Sequence, residues 1–485
     1  MKEENVKVNF IYQSAYQILT ILLPMLLSPY VARVLGADGI GVYSYTYSIV
    51  SYFVMAAGLG LHNYGNRCVA SARDDKEKLS QTFSDLYALH VIISVIIMIA
   101  YGFYIAAFGG EHKIIFLIQG LYLIGQLLDI NWFYFGIEKF KLTVTRNAVI
   151  KLLTVVCVFL FVKTKEDLWK YVSILAVGAA VSESLVWFFV KRYINFVRPN
   201  VKSFKKHIGP MFILFIPSIA VSVYKVMDKI MLGGMTGTFA VGLYENSEKI
   251  INICIGFVTA LGTVMLPRMS HLVATGRVEE SERMVQKSSR FILILSYAMC
   301  FGVIGVAKVF PTVFWGDEFG SCDVLLMGLA VSLPFTAIAN VVRTQILIPQ
   351  HREKPFVFAV CVGAVVNFII NYICIPKFGA FGAVIGTICA EAVVCLIQLV
   401  ATQKKIPIWK YIVRSAPFAV IGMVMAVAVR ITGDLLGTSV VSLLAQVVIG
   451  GFVYCAMALV YMMITRDELL GLIATKIAKR NKEES

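Results

Sequence analysis

Residues 10–32 read FIYQSAYQILTILLPMLLSPYVA and contain no Asp, Glu, Lys or Arg. A helix needs about 20 mostly apolar residues to cross the hydrocarbon core of a bilayer, so this stretch predicts a membrane-spanning helix. It is too long for a cleaved signal peptide, and a second apolar run follows closely at residue 40. The stretch therefore indicates an integral membrane protein.

The composition of the whole chain supports the same class. Of 485 residues, 59% are hydrophobic and only 15% are charged, and the mean hydropathy is +0.79. Soluble domains carry about 25% charged residues, so soluble, disordered and disulfide-rich secreted classes are excluded. The apolar runs are long and continuous and lack the alternation of barrel strands. We expect an all-α polytopic membrane protein.

The hydropathy pattern predicts about fourteen transmembrane helices. The predicted spans are residues 10–32, 40–62, 84–107, 114–136, 144–162, 169–190, 209–232, 240–265, 291–313, 324–348, 356–375, 380–401, 411–431 and 439–463.

A weak internal repeat groups these spans. RVLGADGIGVYSYTYSI (33–49) is echoed by IMLGGMTGTFAVGLYENSEKI (230–250), and the two are six spans apart. This spacing predicts two six-helix lobes in parallel orientation. We expect an N-terminal lobe at 1–195, a C-terminal lobe at 205–402, two additional transmembrane helices at 403–464 and a basic cytoplasmic tail at 465–485.

The formal net charge of +15 is distributed unevenly along the chain. Loops after even-numbered spans are basic, as in KRYINFVRPNVKSFKKH (191–207), whereas loops after odd-numbered spans are short and nearly neutral, as in GADG (36–39). By the positive-inside rule, both termini and the basic loops are cytoplasmic. The excess signals orientation and attraction to anionic membrane lipids, and it is too dispersed for a nucleic-acid-binding surface.

Ionisable groups at membrane depth are costly, so each is a candidate functional residue. Lys225 and Lys229 are candidates to bind an anionic group in a water-filled cavity, and Arg343 could form a bidentate contact with phosphate. Arg33 is a further cationic candidate, with snorkelling to the interface as its alternative. The remaining candidates are coupling or ion-pair residues, namely Asp129, Asp228, Glu245, Glu248, Lys249 and Glu391.

Two interpretations of these charges stay open. The charges of spans seven and eight could be ion pairs that hold the two helices together. Glu391 could carry a coupling proton or accept a hydrogen bond from a neighbouring helix. Prolines at 24, 29, 210 and 217 occur in corresponding helices of the two halves, which is typical either of bendable helices along a transport path or of tolerated kinks.

Catalytic and cofactor motifs are lacking in the sequence. It contains no Walker loop, no nucleophile elbow and no HExxH, and its ten cysteines include no CxxC pair. We therefore expect neither an enzyme nor a bound metal or cofactor.

Six stretches of the chain are characteristic, namely RVLGADGIGVYSY (33–45), GNRCVA (65–70), DINWFYFGIEKFKLTVTRN (129–147), MDKIMLG (227–233), LPRMS (266–270) and NFIINYICIPKFGAFGAVIGTICAE (367–391). The segment Trp132-Phe133-x-x-Gly136-x-Glu138 with the downstream Arg146 is the most specific of them. Together these stretches resemble the polysaccharide-transporter family, the lipid-linked oligosaccharide flippases of the multidrug/oligosaccharidyl-lipid/polysaccharide exporter superfamily.

This resemblance implies two six-helix lobes around a central cavity that opens alternately to the two sides of a bacterial cytoplasmic membrane. The implied partner is a glycan on a polyprenyl (undecaprenyl) pyrophosphate, moved from the cytoplasmic to the outer leaflet, with membrane lipids and other glycan-assembly proteins as further partners. The alternatives are an ion-coupled multidrug-type exporter, a lipid II flippase and a membrane glycan polymerase or ligase. The last of these is expected to have a long external loop, which the sequence lacks.

Overall fold

The computed structural model describes residues 6–403 and 406–466, without the side chains of residues 6–19, 21, 140, 217, 218, 220, 221 and 223–225. All regular structure in this part of the chain is helical. The expected tail at 465–485 lies outside the described residues except for its first two positions.

The α-helices up to the middle of the chain are α1 (Val6–Gly58), α2 (Leu61–Ala72), α3 (Lys76–Phe108), α4 (Lys113–Gln119), α5 (Leu121–Leu128), α6 (Asn131–Gly136), α7 (Phe140–Phe161), α8 (Leu168–Leu185), α9 (Trp187–Val190), α10 (Phe204–Thr236) and α11 (Thr238–Ala274). Short 3₁₀ turns occupy Gly110–His112, Lys165–Asp167 and Val201–Ser203.

The remaining α-helices are α12 (Val278–Val306), α13 (Phe310–Trp315), α14 (Cys322–Ala330), α15 (Ser332–Val342), α16 (Glu353–Phe378), α17 (Ala380–Thr402), α18 (Ile408–Leu436) and α19 (Val440–Ile464). A 3₁₀ turn at Asp317–Phe319 precedes α14, and a π-helical turn at Arg343–Leu347 follows α15.

These helices confirm the prediction of an all-α polytopic membrane protein. Eleven segments of the described chain are long and apolar enough to cross a membrane, and each overlaps a predicted span. The other three predicted spans fall on α1, which contains the first span and most of the second, and on α10. The helix α1 is interrupted at Gly36, whose φ of 70° and ψ of 179° are not helical. This break separates the first predicted span from the second.

The chain divides into two compact units, one ending at Glu245 and the other beginning at Asn246, inside α11. Residues of each unit contact mainly other residues of the same unit. The lobe boundaries expected from the repeat, at 195/205 and 402/403, stay a prediction.

In the first unit, two of the family-like stretches pack directly against each other. A Cβ at Gly65 of α2 would lie 2.6 Å from the indole of Trp132, and one at Gly136 of α6 would lie 2.5 Å from Val69. Trp132 is only 1% exposed. The glycines of GNRCVA and NWFYFG therefore allow a contact between α2 and α6 that larger residues would prevent.

The linker after α9 is attached to α3 by a buried carboxylate. Asp85 is 5% exposed and accepts hydrogen bonds from the backbone N–H of Asn200 (2.7 Å) and the hydroxyl of Ser203 (2.9 Å). The hydroxyl of Ser80 accepts a further bond, at 3.0 Å, from the N–H of Asn195. The basic loop at 191–207 is thus held in a defined conformation.

In the second unit, α16 and α17 form a close helical hairpin. Gly379, with φ of 55°, connects them, and a Cβ at Gly382 would collide with the Cys374 carbonyl group. Buried Asn371 donates to Asn367 at 3.1 Å on the face that meets Gly386. The family-like stretch at 367–391 is therefore a packing motif built on small residues.

Candidate functional site

A charged pair joins α10 to the first turns of α11. The ammonium group of Lys229 lies 2.7 Å from Oε2 of Glu245, and both side chains are 16% exposed. The Ser44 hydroxyl on α1 donates to the same carboxylate oxygen at 2.7 Å. Three helix segments thus meet at one partly buried carboxylate, which balances the charge of the lysine.

The neighbouring acid on α10 has a different environment. Asp228 is 4% exposed and accepts a hydrogen bond from the Tyr244 hydroxyl at 2.8 Å, and Tyr244 itself is 1% exposed. Because a buried carboxylate requires hydrogen-bond donors, this contact gives Asp228 a role in joining α10 to α11. One ion pair, between Lys229 and Glu245, and one hydrogen bond, between Tyr244 and Asp228, therefore connect α10 to α11.

The other charges expected near this pair have different placements. Lys249 contacts the Asn246 side chain at 3.2 Å within the second unit, and Glu248 is half-buried beside it. The side chain of Lys225 lies outside the described residues. Arg33 is exposed, just before the break in α1.

A second polar network in the first unit is built from the family-like segment at 129–147. Arg146, 7% exposed, lies 3.4 Å from a carboxylate oxygen of Glu183 and donates to Asn147 Oδ1 at 2.6 Å and to Asn131 Oδ1 at 3.2 Å. Asn131 in turn donates to Glu183 at 2.7 Å. The planar guanidinium group therefore bridges α6, α7 and α8.

Asp129 borders this network as a helix-capping residue. Its carboxylate accepts the backbone N–H of Asn131 at 2.8 Å, and its carbonyl oxygen accepts the indole N–H of Trp132 at 3.2 Å. Both bonds set the direction in which α6 leaves α5. Asp129 thus belongs with Arg146 and Glu183, separate in its contacts from the pair on α10 and α11.

Arg343 and Glu391 both belong to the second unit. Arg343 begins the π-helical turn, and its guanidinium group lies 5.4 Å from the ring centre of Phe356. The Glu391 carboxylate on α17 is within electrostatic range of that cation. The π-helical turn is notable because such turns occur frequently at functional sites.

The sequence did not identify Ser44 and Tyr244 as contacts of the acidic residues. The repeat contains a signal for them, since Ile40-Gly-Val-Tyr-Ser aligns with Val241-Gly-Leu-Tyr-Glu. In this alignment Ser44 corresponds to Glu245, the residue that it contacts. The Asn131 and Asn147 contacts of Arg146 depend on chain folding and have no comparable signal.

Comparison with known protein families shows the family to which the chain belongs. The model of the family described as polysaccharide biosynthesis protein matches residues 6–273, more than half of the chain, and the chain belongs to this family. The MatE family model matches residues 210–373. Together these matches confirm the flippase-containing exporter superfamily recognised in the sequence.

The chain is similar to two curated proteins named as O-antigen transporters. One from Shigella dysenteriae is 22% identical over 386 residues, which cover 79% of this chain and 96% of the relative. One from Escherichia coli (strain K12) is 22% identical over 397 residues, covering 81% and 95%.

Solved structures share the fold. The lipid II flippase MurJ in an inward closed conformation has a TM-score of 0.74 at 15% identity, covering 94% of this chain and 99% of that one. An inward-facing multidrug resistance transporter of the MATE family has a TM-score of 0.62 at 13% identity, covering 83% and 95%. At these identities the likeness concerns the fold alone.

Proposed function

We propose that this protein is a flippase that moves a polyprenyl-pyrophosphate-linked oligosaccharide, a precursor of a cell-surface polysaccharide, from the cytoplasmic to the outer leaflet by alternating access. The observation that carries the proposal is the polysaccharide-family match over residues 6–273 together with O-antigen transporters as relatives. The protein acts in a bacterial cytoplasmic membrane with both termini in the cytoplasm, as the distribution of basic loops indicates, and carries out no covalent chemistry.

Lys229 is the proposed contact for the pyrophosphate. Its ammonium group is held by Glu245 at 2.7 Å in a partly buried position. An incoming pyrophosphate competes with this carboxylate for the same cation, so that Glu245 is released as the headgroup binds. Arg33, Lys225 and Arg343 are further proposed contacts for the headgroup, and Asp129, Asp228, Glu248, Lys249 and Glu391 remain proposed coupling or ion-pair residues.

The membrane potential supplies a driving force for this direction of transport. An interior-negative potential favours outward movement of an anion by about 2.3 kcal/mol per charge for each 100 mV. Because the sequence has no nucleotide-binding loop, the potential or a coupled ion provides the energy.

The test is transport in vesicles. Purified protein is reconstituted with a fluorescent polyprenyl-pyrophosphate oligosaccharide, and the access of an external glycan-modifying enzyme to the label is followed with and without an imposed potential. We expect the protein to accelerate exposure of the label. The assay is repeated with lipid-linked glycans extracted from the source cells of the protein. A rate equal to that of empty vesicles would contradict the proposal.

Variants at the charged pair test the role of Lys229. Lys229→Ala is expected to lower transport at least tenfold, about the effect of losing one charge-assisted contact. Glu245→Gln removes the competing carboxylate and is expected to tighten headgroup binding. Lys287→Ala, at an exposed position of α12, is the matched control and should leave both unchanged.

A multidrug-type exporter is the second candidate function, because the MatE model matches residues 210–373. It predicts saturable export of a fluorescent amphipathic cation from the same vesicles. The flippase proposal predicts no such export, since the proposed headgroup contact is itself a cation.

A further inference from the structure

Four tyrosines from three helices of the first unit form a cluster beside the charged pair. Tyr43 and Tyr47 lie one turn apart on α1, and their rings are stacked with centres 5.6 Å apart. Tyr122 of α5 meets Tyr47 edge-on at 5.1 Å, and Tyr171 of α8 meets Tyr43 edge-on at 5.2 Å. We call these four residues the tyrosine cluster.

The cluster has a buried side and an open side. Tyr171 is buried, and the hydroxyls of Tyr43 and Tyr122 lie 3.5 Å apart, so these rings contact one another. Tyr47 is 39% exposed although two rings pack against it. The other rings therefore fix the orientation of Tyr47 and leave part of its surface accessible.

The open ring lies next to the proposed pyrophosphate contact. Tyr47 is three residues from Ser44 on α1, and residues at this spacing are neighbours on a helix surface. Ser44 donates to Glu245, the partner of Lys229. The Tyr47 hydroxyl is also within electrostatic range of both charges. Since charged groups avoid the lipid phase, this side of α1 faces the protein interior.

The chemistry of an oriented tyrosine suits a sugar. A pyranose ring has one face of C–H groups, which packs on an aromatic ring, and a rim of hydroxyls, which exchange hydrogen bonds with a phenol. A cation that is connected through Glu245 to Ser44, on the same side of α1 as Tyr47, suits a ligand that joins a sugar to a phosphate.

We propose that Tyr47, oriented by Tyr43 and Tyr122, is a sugar-binding platform that contacts the sugar adjoining the pyrophosphate held at Lys229. This inference rests on the proposed function and specifies how the same site distinguishes a glycan-bearing lipid from the bare carrier. The ring face binds the pyranose without a particular hydroxyl pattern, while Lys229 binds the phosphate shared by all such lipids.

The experiment measures the binding of two lipids to the purified full-length protein by native mass spectrometry. One is undecaprenyl pyrophosphate, and the other is the undecaprenyl-pyrophosphate-linked oligosaccharide fraction extracted from the source cells. Tyr47→Leu removes the ring, Tyr47→Phe keeps it, and Tyr372→Leu, at a 64% exposed position of α16, is the matched control.

We expect Tyr47→Leu to weaken binding of the oligosaccharide lipid about tenfold, the size of one aromatic contact, and to leave binding of undecaprenyl pyrophosphate unchanged. Tyr47→Phe should weaken binding of the oligosaccharide lipid less than Tyr47→Leu does, and Tyr372→Leu should leave it unchanged. Equal weakening of both lipids, or of neither, by Tyr47→Leu overturns the sugar assignment. Lys229→Ala tests the pyrophosphate contact independently. Unchanged binding of both lipids to that variant would contradict the pyrophosphate site and not the sugar-binding platform.

If the Tyr47→Leu variant does not fold, a measurement on the unsubstituted protein tests the same proposal. Hydroxyl-radical footprinting should show at least threefold protection of Tyr47 by the oligosaccharide lipid and none by undecaprenyl pyrophosphate. Protection by both lipids, or by neither, overturns the proposal.

Discussion

Gly41 and Gly242 occupy reciprocal positions where α1 crosses α11. A Cβ on Gly41 would overlap the carbonyl oxygen of Thr238, and a Cβ on Gly242 would overlap that of Ala37. Each glycine follows a non-helical glycine by five residues, namely Gly36 and Gly237, whose φ values are 70° and 95°. The two copies of the internal repeat therefore contact each other symmetrically through their backbones. This close contact is possible because neither glycine has a side chain.

Substitution at this crossing is expected to destabilise the protein. Gly41→Ala and Gly242→Ala should each cost about 1–3 kcal/mol, because the added methyl group meets backbone that cannot rotate away. The measurement is the thermal unfolding midpoint in detergent. Gly234→Ala on α10 is the control, since a Cβ there meets no atom within 4 Å. A rise in the midpoint for all three substitutions, which the greater helix propensity of alanine alone predicts, would contradict the importance of the crossing.

The pair of Lys229 and Glu245 is expected to show coupling in a double-mutant cycle. Lys229→Ala leaves a partly buried carboxylate without its cation, so its cost in unfolding free energy should exceed that of the double variant Lys229→Ala/Glu245→Ala. We expect a coupling of about 1–3 kcal/mol by chemical denaturation in detergent. Additive effects would contradict an energetic contribution of this 2.7 Å contact.

Substitution of Arg146, even by lysine, is expected to destabilise the protein. Arg146→Ala removes the donor shared by Glu183, Asn131 and Asn147 and is expected to cost about 3 kcal/mol, while Arg146→Lys recovers only part of this because an ammonium group cannot span the same acceptors. Membrane abundance and thermal unfolding report the effect.

Arg73→Ala is the control for Arg146. Its contact with Glu138 is short, at 2.6 Å, but the two side chains are 36% and 63% exposed. Such a pair contributes less than about 1 kcal/mol. A larger loss at Arg73 than at Arg146 would refute the importance assigned to the buried network.

Asp85→Ala is expected to release the loop at 191–207. The variant lacks the acceptor for Asn200 and Ser203, so trypsin should cut after Lys202 several-fold faster in inside-out vesicles. Asp74→Ala, an exposed acid near the start of α3, is the control. Unchanged cleavage in Asp85→Ala would mean that other contacts hold the loop.

The helices were predictable because a bilayer requires each spanning segment to be apolar along its own sequence, whatever its neighbours in the fold. Each span needs a continuous apolar run, so the segments beginning at Lys76, Thr238 and Val440 could be located without any tertiary contact. The break at Gly36 could be anticipated from its turn-forming sequence. The repeat around Gly41 and Gly242 was also visible in the sequence, but the contact between these two glycines was not.

The sequence by itself determined the membrane class, the spans and the family, and it predicted which charges lie at depth. Only the tertiary structure decided that Lys229 pairs with Glu245, that Asp228 receives the Tyr244 hydroxyl and that four tyrosines meet beside them. The physical reason is that hydropathy acts along one segment at a time. Pairing of polar groups depends on helix rotation and crossing, which the packing of several segments determines together.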